Sequence, residues 1–309
     1  MRRPLAALVA ILATGLVALA AGGCDSEDRP APTVGSGVPA GNAGPGTSAS
    51  TAPPPESLPP SPPGSASAMP APGGGDPASL AADLASAEQA IRSPGTADAE
   101  LEKAGRAQQD AYRRLVDHPE WVAQVLSAVP SSLRQTVQAN VSAGSELRAL
   151  SKPRTSLPPW RIVAPAPAQE LLRHYKAAGS QLGVDWEYLA AIHLVETRMG
   201  RIRGTSVAGA QGPMQFLPAT WARYGKGGDI NSNRDAIFGA ARLLAANGAP
   251  GNMSNALYRY NPTPRYVKAV TAYATEMKGN ERAYLGYYHW QVYYRMVDGD
   301  RLLPVGYGS

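Results

Sequence analysis

The sequence predicts an all-α fold, on three observations. Between residues 80 and 277 the apolar residues recur at helical spacing. Helix start and stop signals stand at the ends of those runs. Period-two alternation is absent until residue 290, where a short C-terminal β-hairpin is expected.

The predicted helices follow a long stretch that cannot be core. The chain has 309 residues, 32 of them Gly and 29 Pro, unevenly spread. Residues 31–75 hold 12 Pro and 9 Gly with Glu56 the only charge, and the first aromatic residue is Tyr112. Without large apolar side chains a segment cannot offset its ordering entropy. Residues 24–77 therefore read as a disordered tether, about 40 Å end to end as a flexible coil. Ahead of it, Arg2 and Arg3 precede an uncharged apolar run over residues 5–21, then Gly22-Gly23 and Cys24. That order is a secretory signal over residues 1–23. A cysteine directly after the small residues resembles the bacterial lipoprotein signal, which implies that Cys24 is lipidated. An uncleaved transmembrane helix is the alternative, at the short edge of what spans a bilayer. Either reading places the rest of the chain outside the cytoplasm. Cys24 is the one cysteine, so an intramolecular disulfide and a cysteine-based zinc site are excluded.

Residues 78–159 read as an accessory helical region of three or four helices, rich in Ala, Leu, Glu, Gln and Arg. Leu80, Leu84, Ala87 and Ile91 share one face, and Leu101, Ala104 and Ala107 another. Trp121, Val125 and Leu126 continue the pattern, then Leu133, Val137 and Val141. A Pro-containing stretch ends the region, and residues 160–280 form the main domain. Asp185 is placed to cap a helix through Leu189 to Glu196, stopping near Gly200. Asn233 is placed to cap one through Ile237, Ala241 and Leu244, closed by Asn247-Gly248. Thr263-Pro264 starts a helix carrying Tyr266, Val270, Tyr273 and Met277. In the tail, residues 281–309, two runs flank Asp298-Gly299 as a hairpin. Its aromatic cluster of Tyr284, Tyr287, Tyr288, Trp290, Tyr293 and Tyr294 could stack sugars, but packing onto the domain is the favoured reading.

Charge narrows the partners. Residues 161–278 carry 14 Lys+Arg against 7 Asp+Glu, or +7, within a chain of net +5. A basic, exported domain without a dense basic block points to an anionic wall polymer or a lipid surface, and away from nucleic acid.

One side chain breaks the pattern. Glu196 lies four residues after Ile192 and seven after Leu189, on the apolar stripe of its helix. Desolvation raises a carboxyl pKa and keeps it protonated at neutral pH, as a general acid requires. A structural glutamate paired with Arg198, Arg201 or Arg203 is the alternative, and would have a lowered pKa instead. His193 precedes it by one turn, and packing is its expected role. Four histidines, His118, His174, His193 and His289, show no metal-ligand spacing.

The residues that follow carry a resemblance. Val195-Glu196-Thr197-Arg198-Met199-Gly200-Arg201 is followed by Gly209-Ala210-Gln211-Gly212-Pro213-Met214-Gln215-Phe216-Leu217-Pro218, and later by Tyr258-Arg259-Tyr260-Asn261-Pro262. These blocks resemble the lytic transglycosylases of the goose-type-lysozyme-like superfamily, most closely the membrane-bound lytic murein transglycosylase B type. The resemblance implies a lysozyme-like catalytic domain that cuts peptidoglycan glycan strands, with Glu196 as the single catalytic acid and base. It implies that Ser206, Gln215, Tyr260 and Asn261 line the substrate. Gln215 as a helix-entry hydrogen bond and Tyr260 as a core aromatic are compatible structural roles. The B type carries an EF-hand-like calcium loop; residues 197–228 here hold no acidic residue and Lys226 would repel a cation, so no calcium and no cofactor are expected.

Together these readings describe a lipid-anchored, monomeric lytic transglycosylase that closes a 1,6-anhydro ring rather than adding water. Two rivals remain: a hydrolytic muramidase, with Asp229 or Asp235 as the second acid, and a non-catalytic wall-binding lipoprotein.

Overall fold

The structure, a computed structural model, describes residues 76–309. The signal segment, Cys24 and nearly all of the tether lie outside the described residues. Among the described residues, eleven α-helices and two short antiparallel strand pairs occur, and none of the helices is long and apolar enough to cross a membrane.

The first four helices are α1 (Pro77–Arg92), α2 (Asp98–Asp117), α3 (Val122–Ala128) and α4 (Arg134–Leu150). Asp76 caps α1, its carboxylate accepting from the N–H groups of Ala78 and Ser79 at 2.8 and 3.0 Å. The buried face of α1 is the predicted one, Leu80, Leu84, Ala87 and Ile91. In α2, Ala107 is exposed, and the buried row instead runs through Leu101, Ala104, Gln108, Ala111 and Leu115. A period of 3.6 drifts off a strict three-residue step, which is why the small Ala107 faces solvent.

Next come α5 (Ala168–Leu182), α6 (Trp186–Thr197), α7 (Pro218–Tyr224), α8 (Asn233–Ala246), α9 (Met253–Tyr260) and α10 (Pro264–Gly279). From Leu189 to Thr197 every residue of α6 is buried, so this helix must be enclosed on all sides. α5, α8 and α10 provide that enclosure, and α4 packs along α10. Leu84, Leu115 and Val137 of the accessory helices share one continuous core with Leu189, Ile192 and Val195. On the surface, Glu146 of α4 accepts from Arg265 at 2.6 Å and Lys268 at 3.3 Å of α10.

Two caps differ from the sequence reading. Asp185 precedes α6, but its carboxylate pairs with Lys278 at 2.7 Å and accepts no helix N–H. For α8 the cap is Ser232, whose hydroxyl accepts from the Asp235 N–H at 3.3 Å. Thr263 caps α10 as expected, accepting from the Arg265 N–H, with Pro264 in the first position.

The strands are short. β1 (Arg161–Ile162) pairs with β2 (Ile202–Arg203), which leaves the end of α6 by a tight turn. In the tail, α11 (Ala283–Tyr288) is a helix that the hairpin expectation did not include. β3 (Val292–Met296) and β4 (Gly299–Leu303) form the hairpin, with Met296 opposite Gly299, so Val297-Asp298 is its loop, one residue earlier than read from the sequence. Tyr284, Tyr287 and Trp290 are buried in the main core, and Tyr294 packs edge-on against Trp160. Glu88, buried on α1, accepts from Gln108 and Tyr112, while Trp290 donates its indole N–H to Gln108 at 2.9 Å. That buried polar network ties α1, α2 and the tail together.

Candidate active site

Glu196 sits in the last turn of α6 with no solvent exposure. Its Oε1 accepts a hydrogen bond from the Tyr266 hydroxyl of α10 at 2.9 Å, and its Oε2 has no partner among the described residues. Burial pushes the carboxyl pKa up to about 8, against the opposing pull of the Tyr266 hydrogen bond. Among the described residues, no carboxylate contributes to that shift. At neutral pH the group is therefore mostly protonated.

The backbone after Glu196 reverses sharply. Arg198, Met199 and Gly200 have φ of 53, 59 and 80°, three successive left-handed residues. Two of them are not glycine, and such a turn stores strain of order 1 kcal/mol or more per residue. Thr197 secures it: its hydroxyl donates to the Pro213 carbonyl at 2.6 Å and accepts from the Gly200 N–H at 3.1 Å. The three arginines do not pair with the acid. Arg198 donates to the Leu194 carbonyl at 2.7 Å, Arg201 to the carbonyls of Tyr288 and Trp290, and Arg203 to that of Asn231.

The loop from Gly204 to Leu217 meets this turn. Gln215, buried and at φ 50°, donates through Nε2 to the carbonyls of Gly212 at 2.9 Å and Gly204 at 3.4 Å; its Oε1 has no partner. Gly212 has to be glycine, since a Cβ there would lie 1.9 Å from the Ile230 carbonyl oxygen. Tyr260 donates to the Met214 carbonyl at 2.6 Å and stacks on Tyr266, ring centroids 6.3 Å apart. Asn261 is buried beside it with Nδ2 unpartnered. Tyr266 thus links Glu196 to Tyr260, and Tyr260 links to the residue before Gln215.

Ser206 is placed differently from the other four. Its hydroxyl accepts from the N–H groups of Ala208 and Ala210, at 3.2 and 2.9 Å, and so closes its own loop. A cleft of about 500 Å³ is lined by Gly204, Thr205, Gln211 and Gly212 of that loop together with Arg161 and Arg203. Asp229 and Asp235 serve a separate turn: Asp235 accepts from the Asp229 N–H, and Asp229 from that of Asn231. His193 shares a 2.6 Å hydrogen bond with Tyr175, and burial brings its pKa down to about 3, so it is a neutral packing residue.

Among the described residues, Glu196 Oε2, Gln215 Oε1 and Asn261 Nδ2 are buried without protein partners, as are His193 Nε2 and Asn233 Oδ1 beside the turn. Each unmet group costs about 1–3 kcal/mol, a cost that a polar ligand would relieve. Sequence reasoning missed Tyr266 and Thr197 as parts of this arrangement. Tyr266 was visible only as one apolar-face aromatic, although Pro264 starting a helix three residues after Asn261 is what returns it to Glu196.

Over 76 residues the chain is 37% identical to a membrane-bound lytic murein transglycosylase F of Thiobacillus denitrificans. That stretch takes in 25% of this chain and 16% of the relative, so the chain spans far less than two thirds of that protein. No family model matches the chain, and no solved structure matches it. A quarter of this chain is thus similar to part of an F-type lytic murein transglycosylase.

Proposed function

We propose that this chain is a peptidoglycan lytic transglycosylase, held outside the cytoplasm by a lipid on Cys24 and acting as a monomer on glycan strands. The observation that carries the reading is Glu196: a buried carboxyl with a pKa of about 8, one free oxygen, and no second carboxylate acting on it. Glycosidases that hold a water use two carboxyls on opposite faces of the sugar. Here one group does both steps. Protonated Glu196 gives its proton to the oxygen between MurNAc and GlcNAc, leaving an oxocarbenium-like muramic residue. The resulting carboxylate, held by the Tyr266 hydroxyl, takes the proton of the same sugar's C6 hydroxyl as that oxygen closes a 1,6-anhydro ring. An intramolecular nucleophile has an effective molarity that can exceed bulk water by orders of magnitude.

Gln215 Oε1 and Asn261 Nδ2 offer an acceptor and a donor to the sugar, and Tyr260 fixes the loop that carries Gln215. Ser206 shapes that loop. Because Glu196 is sealed, the glycan reaches it only when neighbouring side chains part, and the loop of residues 204–217 is the element that opens. Amide exchange in that loop should slow when a glycan fragment binds; unchanged exchange would contradict this step.

Mass spectrometry of digested sacculi tests the reaction. Anhydro products are lighter by one water than hydrolysis products and leave no new reducing ends. Glu196→Gln should lower the rate by about 10²- to 10⁴-fold. Near-wild-type digestion by that folded variant would overturn the assignment, and reducing muramic ends would turn it into a hydrolase.

A further inference from the structure

A second cavity, of about 100 Å³ and rich in arginine, lies where α2, α4 and α10 meet the C-terminal hairpin, and the proposed reaction makes no use of it. Its lining includes Arg113, Arg148, Arg198 and Arg295 against one acidic side chain, Asp300. Asp300 accepts from Arg113 at 2.7 Å and from Arg148 at 3.2 Å, and Arg148 also reaches Asp117. Two of the four guanidinium groups, Arg113 and Arg148, thus engage the two carboxylates Asp300 and Asp117. Arg295 is held by neutral groups alone, the carbonyls of Arg148 and Ser151 and the Ser151 hydroxyl. Arg198 bonds the Leu194 carbonyl at 2.7 Å, and no carboxylate pairs with it among the described residues. Burial disfavours its charge. A neutral carbonyl does not balance a guanidinium charge that burial disfavours, and a bound anion would.

Arg198 reaches this cavity because it stands in the left-handed turn that ends α6. The same turn carries Glu196 two residues earlier. Tyr273, another lining residue, is on α10 two turns after Tyr266, which donates to Glu196. The cavity and the acid therefore share two elements.

We propose that this cavity is a binding site for a small oxyanion, a carboxylate or a phosphate group, clamped by Arg198. The guanidinium groups set the class, and a space of about 100 Å³ accommodates a small anionic group. Planar guanidinium forks suit both carboxylate and phosphate through paired N–H donors. The assignment stands independently of the transglycosylase reading.

The test is isothermal titration calorimetry of the full chain with sodium phosphate and, separately, sodium acetate, at constant ionic strength. Saturable binding is expected. Phosphate binding alone assigns a phosphate ligand, and acetate binding assigns a carboxylate. Arg198→Gln should weaken binding at least about tenfold. Asp300→Asn removes the acidic group of the lining and should tighten binding severalfold. If Arg198→Gln fails to fold, the Asp300→Asn arm decides, with the fold checked by circular dichroism. Absence of saturable binding by both anions overturns the proposal. So does binding unchanged in a folded Arg198→Gln variant, or binding not tightened in a folded Asp300→Asn variant.

Discussion

Replacing Glu196 by glutamine should stabilise the protein increasingly as pH rises, while it slows the proposed chemistry. The carboxyl pKa is raised from the model-peptide value of 4.5 to about 8 by burial. Between those two values the unfolded chain has lost this proton and the folded chain keeps it. Stability then falls with rising pH, by about 1.4 kcal/mol per unit for one proton. From pH 4.5 the loss reaches about 3 kcal/mol at pH 7 and levels off near 5 kcal/mol above pH 8. Glutamine has no proton to lose, and its side-chain oxygen can still accept from Tyr266. Wild type and variant should therefore match at pH 4.5, and the variant should lead by about 3 kcal/mol at pH 7. For a domain of this size that is roughly 6–12 °C in Tm, since 1 kcal/mol moves Tm by about 2–4 °C. Differential scanning calorimetry of both proteins at pH 4.5, 6, 7 and 8.5 measures the double difference, in which all other titrating groups cancel. A Tm difference that does not change with pH would refute the buried, proton-holding state of Glu196.

Tyr266→Phe removes a hydrogen bond that favours the carboxylate, so the Glu196 pKa should rise further. A bond to a charged group of about 1.5–3 kcal/mol moves the alkaline limb of the pH–rate profile up by roughly 1–2 units; a merely structural role would lower the rate without moving the limb. Gly212→Ala sets a Cβ 1.9 Å from a backbone oxygen at φ 72° and should cost well over 2 kcal/mol in thermal melts. Gly183→Ala is the comparison, with φ 68° but open space around it, and should cost only about 1 kcal/mol. Cys24→Ala should move the protein from the membrane fraction to the soluble one; retention would favour an uncleaved membrane helix.

Much of this was legible in the sequence, because it depended on local period and spacing. The faces of α1, α4 and α10 follow from apolar residues three and four apart, and Glu196 stood out as a charge on such a face. Caps were less legible. Asp185 has a choice of partners, and Lys278, distant in sequence, takes it in preference to the helix N–H groups. α11 was hidden because its Tyr284, Tyr287 and Tyr288 suit strand as readily as helix. Tyr266 illustrates the limit most directly. Nothing within one turn of it names a carboxylate as its partner; only the crossing of α10 over α6 does.

The arginines near Glu196 decide which kind of glutamate it is. A guanidinium 4 Å from the carboxylate, at an effective dielectric of about 20, would favour the ionised form by about 4 kcal/mol. That is roughly 3 pKa units, enough to cancel what burial supplies. Arg198, Arg201 and Arg203 are all close in sequence, so sequence alone allows the pair. The left-handed turn at residues 198–200 prevents it. It folds Arg198 back onto the Leu194 carbonyl and sends the chain away as β2, where Arg201 and Arg203 find carbonyls of the tail and of Asn231. The carboxyl is then left at the negative end of the helix dipole, which also opposes its ionisation. The path of that turn thus leaves burial unopposed by any arginine in keeping the proton on Glu196, and Thr197, bonded to Pro213 and Gly200, holds the turn in place.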